Sequence, residues 1–501
     1  MNLNIYHTND IHSHLEEFAK IATIIKNQKS NDDLLVDAGD FNDFMRLEIN
    51  GTNGEAGMRL LSALNYDGLS IGNNEGFAGV DALKTMANTG NVPLLSCNLY
   101  LKNLDPIKGV KRSRVITRNG IRVLIIGATP MFNEFFELLG LHSNDIVSEI
   151  KKEMLDNTGK YDLCILLSHL GYWKDCDLAE MDLGIDVIIG GHSHTEMEQA
   201  VKIKNTIIHQ SGKHGELLGK LSLCIEDDKI ISFTSEDIKT GSAAQDEEIL
   251  NIIKEQKEIA VKNFSVTLFN IQETLWHDVI MENPLTNLIC DAFYKYFPCD
   301  FAIMNSGIFN CGIKGNVTKI KLLQVSPSPL NPTYVTIKGD NILKALIQTL
   351  DGDICLNGGR GAGFRGRFVG RLHVSKNVLI IVRENDLEVT IDGKALDLEK
   401  EYNVVTSDYL QRGTGYSSLF SDKNVLYEKD YIRDVLLLAL KDEELIKGCF
   451  ENRFFAEQDK IIIKKLNNLR HKTLKERLEG FEGEYVFEEW DTGKPVGKEV
   501  L

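Results

Sequence analysis

Short apolar runs alternate with amphipathic stretches over the first 240 residues. Runs at 3–8, 33–38, 67–71, 122–128, 161–168, 185–190 and 205–210 are dense in Leu, Ile and Val and read as strands. Between them, stretches such as FAKIATIIKNQ (18–28) and GMRLLSALN (57–65) place apolar residues at helical spacing. Residues 220–238 read as a closing hairpin. The charged segment 246–263 has helical periodicity and predicts a helix joining two domains. After it, 264–275 is strand-like, and 283–297 predicts an amphipathic helix with Pro284 in its first turn. Residues 301–460 form a second α/β region. The pattern thus divides the chain into 1–240, a linker at 241–263, a second domain at 264–465 and a charged tail at 466–501 with few core signals.

Polar residues follow these strands in a repeating way. Asp10 and His12 come after LNIYHTN, Asp40 after LLVDAG, and Asn73 after LSIG; His169 follows LCILLS, and His192 and His194 follow DVIIGG. A pair of divalent ions calls for a mixed oxygen and nitrogen shell with a carboxylate shared between them. The carboxyl ends of strands in an α/β sheet are the expected place for it. Residues two apart on a strand share a face, so Asp10 with His12, and His192 with His194, are each expected to grip one ion. Glycine beside Asp40 and Asn73 is expected to let the backbone turn sharply toward the site. Any one of these residues alone is unremarkable as a loop histidine or a helix cap; the ordered set is what carries the reading.

Composition narrows the class. The chain has 501 residues, 43% hydrophobic and 26% charged, which is ordinary for globular protein. A net charge of -17 argues against a nucleic-acid duplex as partner. No apolar run approaches the ~18 residues of a membrane span. Nine scattered cysteines without a CxxC pair read as reduced thiols. With the first strand beginning almost at Met1, no export signal is expected, so the expected location is cytoplasmic.

The motifs Asp-x-His, Gly-Asp, Gly-Asn-x-Glu, Ser-His-Leu-Gly and Gly-Gly-His-Ser-His, in this order, resemble those of the calcineurin-like metallophosphoesterases. NPLTNLICDAF, NSGIFNCG and SDYLQRGTGY are similar to the C-terminal domain of the 5′-nucleotidase and UDP-sugar hydrolase family, and the resemblance spans roughly residues 3–430. It implies a four-layer αββα catalytic domain, a helical linker and an α/β substrate-binding domain, with a nucleotide held between the lobes. It implies that Asp10, His12 and His194 hold one metal, that Asn73, His169 and His192 hold the other, and that Asp40 bridges. The reaction implied is hydrolysis by metal-hydroxide attack on phosphorus, with two divalent ions drawn from Mn, Zn, Fe or Co. The bacterial intracellular branch of the family is the expected relative.

The chain departs from that pattern. The family's Gly-Asn-His-Glu is Gly72-Asn73-Asn74-Glu75 here, and the following Asp position is Phe77. Asn74 can donate a hydrogen bond to a phosphoryl oxygen but cannot deliver a proton. That loss should weigh most on a sugar alkoxide leaving group and least on a phosphate. His14 and His214 are candidate substitute acids. In the second domain Phe309 stands near the family's phosphate-clamping Arg, and the cluster Arg360, Arg365, Arg367 and Arg371 is the candidate replacement, since guanidinium forks suit phosphate oxygens. Phe368 and Tyr409 best match the family's base-stacking rings; the Asp expected to bind ribose is Thr414 or absent. The leading expectation is a two-metal hydrolase of nucleoside 5′-monophosphates or nucleotide sugars. A phosphodiesterase acting on cyclic nucleotides or other esters, and a nucleotide-binding pseudoenzyme, are the alternatives.

Overall fold

The computed structural model describes residues 1–456 apart from 228, 362 and 384–386. The tail expected at 466–501, and the end of the second domain as bounded at 465, lie outside the described residues.

Two six-stranded sheets lie face to face in the first lobe. The first has the order 229–239, 217–226, 2–8, 34–37, 68–70, 94–95; the second runs 201–203, 206–209, 187–190, 163–168, 121–128, 113–118. Strands Asn2–Thr8, Leu34–Asp37, Gly68–Ser70 and Leu94–Leu95 run parallel, as do Ile121–Ala128, Leu163–Ser168, Val187–Gly190 and Thr206–His209. Parallel strands are covered on both faces, which is why they read as continuous apolar runs. Alternate residues serve different cores. Leu34, Val36, Ile125, Ile165 and Ile189 fill the space between the sheets. Leu35 and Leu69 face the helices Leu15–Gln28, Glu55–Ala63 and Gly79–Ala87. Leu124, Ile126, Leu166 and Ile188 face the helices Ile146–Asp156 and Tyr172–Glu180. The result is helix, sheet, sheet, helix.

The helix Glu247–Phe264 is N-capped by Asp246, whose carboxylate accepts from Ile249 N. It lies along the first lobe: Ile249 and Ile253 join that lobe's core, and Asn263 Nδ2 donates to Gly51 O at 2.9 Å. The second lobe has its own single core around the buried helix Pro284–Tyr296. Its five-stranded sheet has the order 372–374, 301–305, 401–407, 332–338, 426–427, beside a four-stranded sheet, 394–395, 387–391, 378–382, 454–456. Contacts among the described residues that cross between the lobes beside the strand ends include Arg365 Nη2 to Asp43 Oδ2 at 3.1 Å, Tyr431 Oη donating to Phe77 O at 2.9 Å, and the Phe135 and Tyr427 rings at 4.5 Å. Among the described residues no helix is long and apolar enough to cross a membrane, and all nine cysteines are free thiols.

Gly51 tests how closely the linker helix must seat. A Cβ there would stand 2.6 Å from Ala260 Cβ. Gly51→Val is expected to cost about 1–3 kcal/mol by overpacking. Urea unfolding of the variant against the parent checks this, and an unchanged midpoint would show that the helix can shift freely.

Candidate metal centre

Asp10, His12, Asp40, Asn73, His169, His192 and His194 converge where the carboxyl ends of the two sheets meet. Asp10 Oδ1 is 3.7 Å from His12 Nε2 and 3.4 Å from His194 Nε2, and the two Nε2 atoms are 3.1 Å apart. Asp40 Oδ2 lies 3.3 Å from His169 Nε2 and 3.8 Å from His12 Nε2, so it stands between the two groups. His192 Nδ1 meets Asn73 Oδ1 at 2.8 Å, and the His169 and His192 rings are 5.2 Å apart. Two ligand triads, Asp10-His12-His194 and Asp10-Asp40-His169, each bring their donor atoms close enough for one ion.

These residues do not sit on strands. The first strand ends at Thr8, and Asp10 (φ 51°), His12 (46°), Asp40 (55°), His192 (74°) and His194 (54°) all have left-handed backbone. The expected alternation of residues two apart is therefore corrected: tight loops, not a pleat, aim these pairs. Such conformations are uncommon outside glycine, though Asp, Asn and His tolerate them best. Their clustering here marks strain held for a purpose. The loops are tied to each other by Asp10 N to Gly39 O, His12 N to Asp40 O and Ser13 N to Phe41 O, at 2.9–3.0 Å. Glu75 completes the frame: its carboxylate accepts from Asp40 N, Asn42 N and Gly72 N. Burial, then the Asp40 charge, pushes Glu75 up to about 7.

Glycine acts here mainly by leaving room. Gly72 is extended (φ -83°), not turned, and a Cβ on it would lie 2.1 Å from Asp40 Oδ1. The expectation of a sharp turn holds at Gly39 (φ 103°) but not at Gly72.

Electrostatics shows what the cluster is built to hold. Burial alone would lower the His169 imidazole, yet the Asp40 and Asp10 charges carry it up to about 10. Burial works to raise Asp10, but His12, His194 and His169 hold it well below the ordinary carboxylate range. His169 Nδ1 donates to Ala38 O at 2.9 Å, which leaves Nε2 facing Asp40, fully buried and without a hydrogen-bond partner. A proton on Nε2 balances the Asp40 charge, and a divalent ion taking that proton's place would do the same. Two imidazole nitrogens bound to one tetrahedral ion at 2.0–2.1 Å lie about 3.3 Å apart, close to the His12–His194 separation. The residues fit divalent metal.

The remaining expected site residues are placed differently. Asn74 turns its amide inward: Nδ2 donates to Asp40 Oδ2 at 3.1 Å and lies 2.9 Å from His12 Nδ1, while its backbone N donates to Asp40 Oδ1. Its amide is engaged with Asp40 and His12. His14 does not continue a strand; it precedes the helix Leu15–Gln28 and stacks on His214, ring centroids 3.9 Å apart. Burial and neighbouring imidazoles push His14 down to about 4 and His214 down to about 2. Phe77 packs among Phe132, Phe135 and Phe136, and Phe132 faces His192 at 5.9 Å.

Of the four arginines, the structure brings Arg365 to the centre. It reaches Asp43, whose Oδ2 is 3.9 Å from His12 Nδ1. Arg360 and Arg367 are exposed, with Arg367 over the Phe368 ring at 4.9 Å. Arg371 is a correction: it is buried, over the Phe454 ring at 4.2 Å with Nη1 at the Ile280 carbonyl, and cannot receive substrate. Phe309 is likewise buried in the core. The pairing of Phe368 with Tyr409 is also corrected. Phe364 stacks on Tyr409 at 4.2 Å and 22°, Tyr409 is fully buried, and Phe368 stands elsewhere, half-buried. Asp43 and Phe364 escaped the sequence reading because nothing in periodicity distinguishes them. Glu75 stood in the quoted motif, without an assigned role.

Two family models match the chain. Residues 3–196 match the calcineurin-like phosphoesterases, and residues 260–422 match the 5′-nucleotidase C-terminal domain. The chain belongs to the calcineurin-like phosphoesterases that carry a 5′-nucleotidase C-terminal domain. Members of this family are phosphoric ester hydrolases, and the chain is an enzyme of that class. An uncharacterized metallophosphoesterase of Bacillus subtilis, YunD, is 27% identical over 87% of this chain and 99% of its own length. The fold is shared with a 5′-nucleotidase precursor of Thermus thermophilus (TM-score 0.55, 22% identity, 91% of this chain and 99% of that one). It is shared also with the NAD nucleotidase of Haemophilus influenzae (TM-score 0.61, 16% identity, 92% and 98%).

Gly72→Ala isolates the geometry of this family centre. The added methyl would stand 2.5 Å from Asp40 N as well as against its carboxylate, so the Asp40 loop must shift, and metal affinity is expected to fall at least about 10–100-fold, the usual effect of disturbing groups that orient ligands. Calorimetric titration with Mn²⁺ reads it, alongside an unchanged far-ultraviolet circular dichroism spectrum.

Proposed function

We propose that this protein is a two-metal phosphohydrolase acting on nucleotides, with nucleoside 5′-monophosphates and nucleotide sugars as the substrate range. The observation that carries the reading is Asp40: one buried carboxylate set between His12 on one side and His169 on the other. Asp10, His12 and His194 would hold one ion and Asn73, His169 and His192 the second, with Asp40 shared. Bound there, two divalent ions supply the positive charge that a reacting phosphoryl group needs and a place where water ionises near neutral pH.

The chain's own residues set the rest. His169 is fixed by the Ala38 carbonyl in the tautomer that presents Nε2. Asn74 braces Asp40 and His12. Arg365, reaching over from the second lobe, places a permanent cation at the mouth, suited to a phosphate oxygen pair. Phe77, Phe132 and Phe136 set apolar rings beside His192. The names of the relatives, a 5′-nucleotidase and an NAD nucleotidase among them, support a nucleotide as substrate.

A panel of nucleoside monophosphates, UDP-sugars and cyclic nucleotides, assayed for phosphate and nucleoside release with Mn²⁺, tests the proposal. Asp40→Asn is expected to lower turnover at least about 10³-fold, since it removes the shared charge from both ions. Excess chelator should do the same reversibly. Turnover that survives both treatments would refute a two-metal centre.

A further inference from the structure

The hydrolysis proposed above leaves open how the leaving group departs. A phosphoryl group can separate from an alkoxide, which must gain a proton, or from a second phosphate, which is stable as an anion. The groups that stand where the family carries its acid, Asn74 and Phe77, are unequal to the first task. Asn74 has no proton to give, and its amide is already bound to Asp40 Oδ2 and set against His12 Nδ1. Phe77 and Phe132 present carbon. His14 and His214, the other proton-bearing rings nearby, pack face to face at 3.9 Å on the His12 and His194 flank. Among the described residues the cation brought across from the second lobe is Arg365, a group that stays charged and cannot act as an acid.

Arg365 is also held in a particular way. Its backbone N donates to Ser328 Oγ, and the loop behind it is closed on the Ser306–Ile308 turn, where a Cβ on Gly366 would stand 1.9 Å from Gly307 O. The loop is therefore anchored. The guanidinium at its tip pairs with Asp43, whose carboxylate is 3.9 Å from His12 Nδ1. A second phosphate of the substrate would carry more charge than Asp43 and could take the same fork.

We propose that this centre is specialised for phosphoanhydrides, with Arg365 passing from Asp43 to the departing phosphate, and that Asn74 sets the preference by withholding a proton. In the step, the oxygen of water forms the new bond to phosphorus. The bond from phosphorus to the bridging oxygen breaks, and its electron pair stays on that oxygen, which leaves as part of a phosphate anion. The proton lost from water goes to solvent. An ester would place the same pair on a strongly basic alkoxide. The inference rests on the two-metal hydrolase reading.

The test compares ADP with AMP, and aryl phosphates of graded leaving-group basicity, in Mn²⁺-loaded protein. kcat/KM for ADP and for p-nitrophenyl phosphate is expected to exceed that for AMP by about 10² or more, the usual weight of acid assistance. The aryl series should fall steeply with basicity. Asn74→His should raise AMP turnover and flatten that slope. As a reading independent of turnover, calorimetry with imidodiphosphate should show at least about tenfold weaker binding to Arg365→Met, with a smaller loss for orthophosphate. Equal kcat/KM for AMP and ADP overturns this inference alone; a fall in AMP turnover on His214→Ala would then assign the acid to that imidazole. Imidodiphosphate binding indifferent to Arg365→Met also overturns it. Failure to hydrolyse even p-nitrophenyl phosphate removes the hydrolase reading, and this inference with it.

Discussion

Two carboxylates, Asp10 and Asp40, are buried close together, and solvent can neutralise neither. A buried charge without a partner is among the most destabilising features a protein can contain. The surroundings respond in two ways. Backbone donors (Asn74 N on Asp40, His192 N on Asp10) satisfy one set of lone pairs. The Asn74 and Asn9 amides donate to further oxygens, and the imidazoles of His12, His169 and His194 face the rest, offering positive charge when protonated and nitrogen donors to a metal when not. The loops, the glycines beside them and the Glu75 frame all serve to keep those oxygens aimed inward.

The second lobe changes what that centre can accept. Arg365 adds a positive group on the open side, and Tyr431 and Tyr427 fasten the lobe beside it. The same lobe closes off another possibility: with Phe364 lying on Tyr409, the ring that would be free to stack on a base is already covered.

Much of the first lobe was legible because burial on both faces writes itself into the sequence as uninterrupted apolar runs. Leu163–Ser168 and Val187–Gly190 lie within the stretches where such runs occur. The ligands were legible because each polar residue directly follows such a run. Their backbone was not. Apolar patterning stops with the strand at Thr8 and says nothing about the left-handed turns beyond it. The arginine loop failed for a related reason. In a Gly-rich segment without periodicity, which of Arg360, Arg365, Arg367 and Arg371 points where depends on how the loop docks against residues 306–308, a long-range contact that local sequence does not encode. Arg371 enters the interior because Leu372–Val374 is a core strand and its own side chain precedes that strand.

The left-handed ligand residues tie the chemistry to the folding equilibrium. Each such conformation in a non-glycine residue raises the energy of the native state, toward the low end of about 1–3 kcal/mol for Asp and His. The chain tolerates five of them within one small volume, together with two buried carboxylates. A ligand that binds only this arrangement returns free energy to the folded state in proportion to the logarithm of its concentration. Divalent ion bound at this place would therefore raise the thermal midpoint of the protein as its free concentration rises.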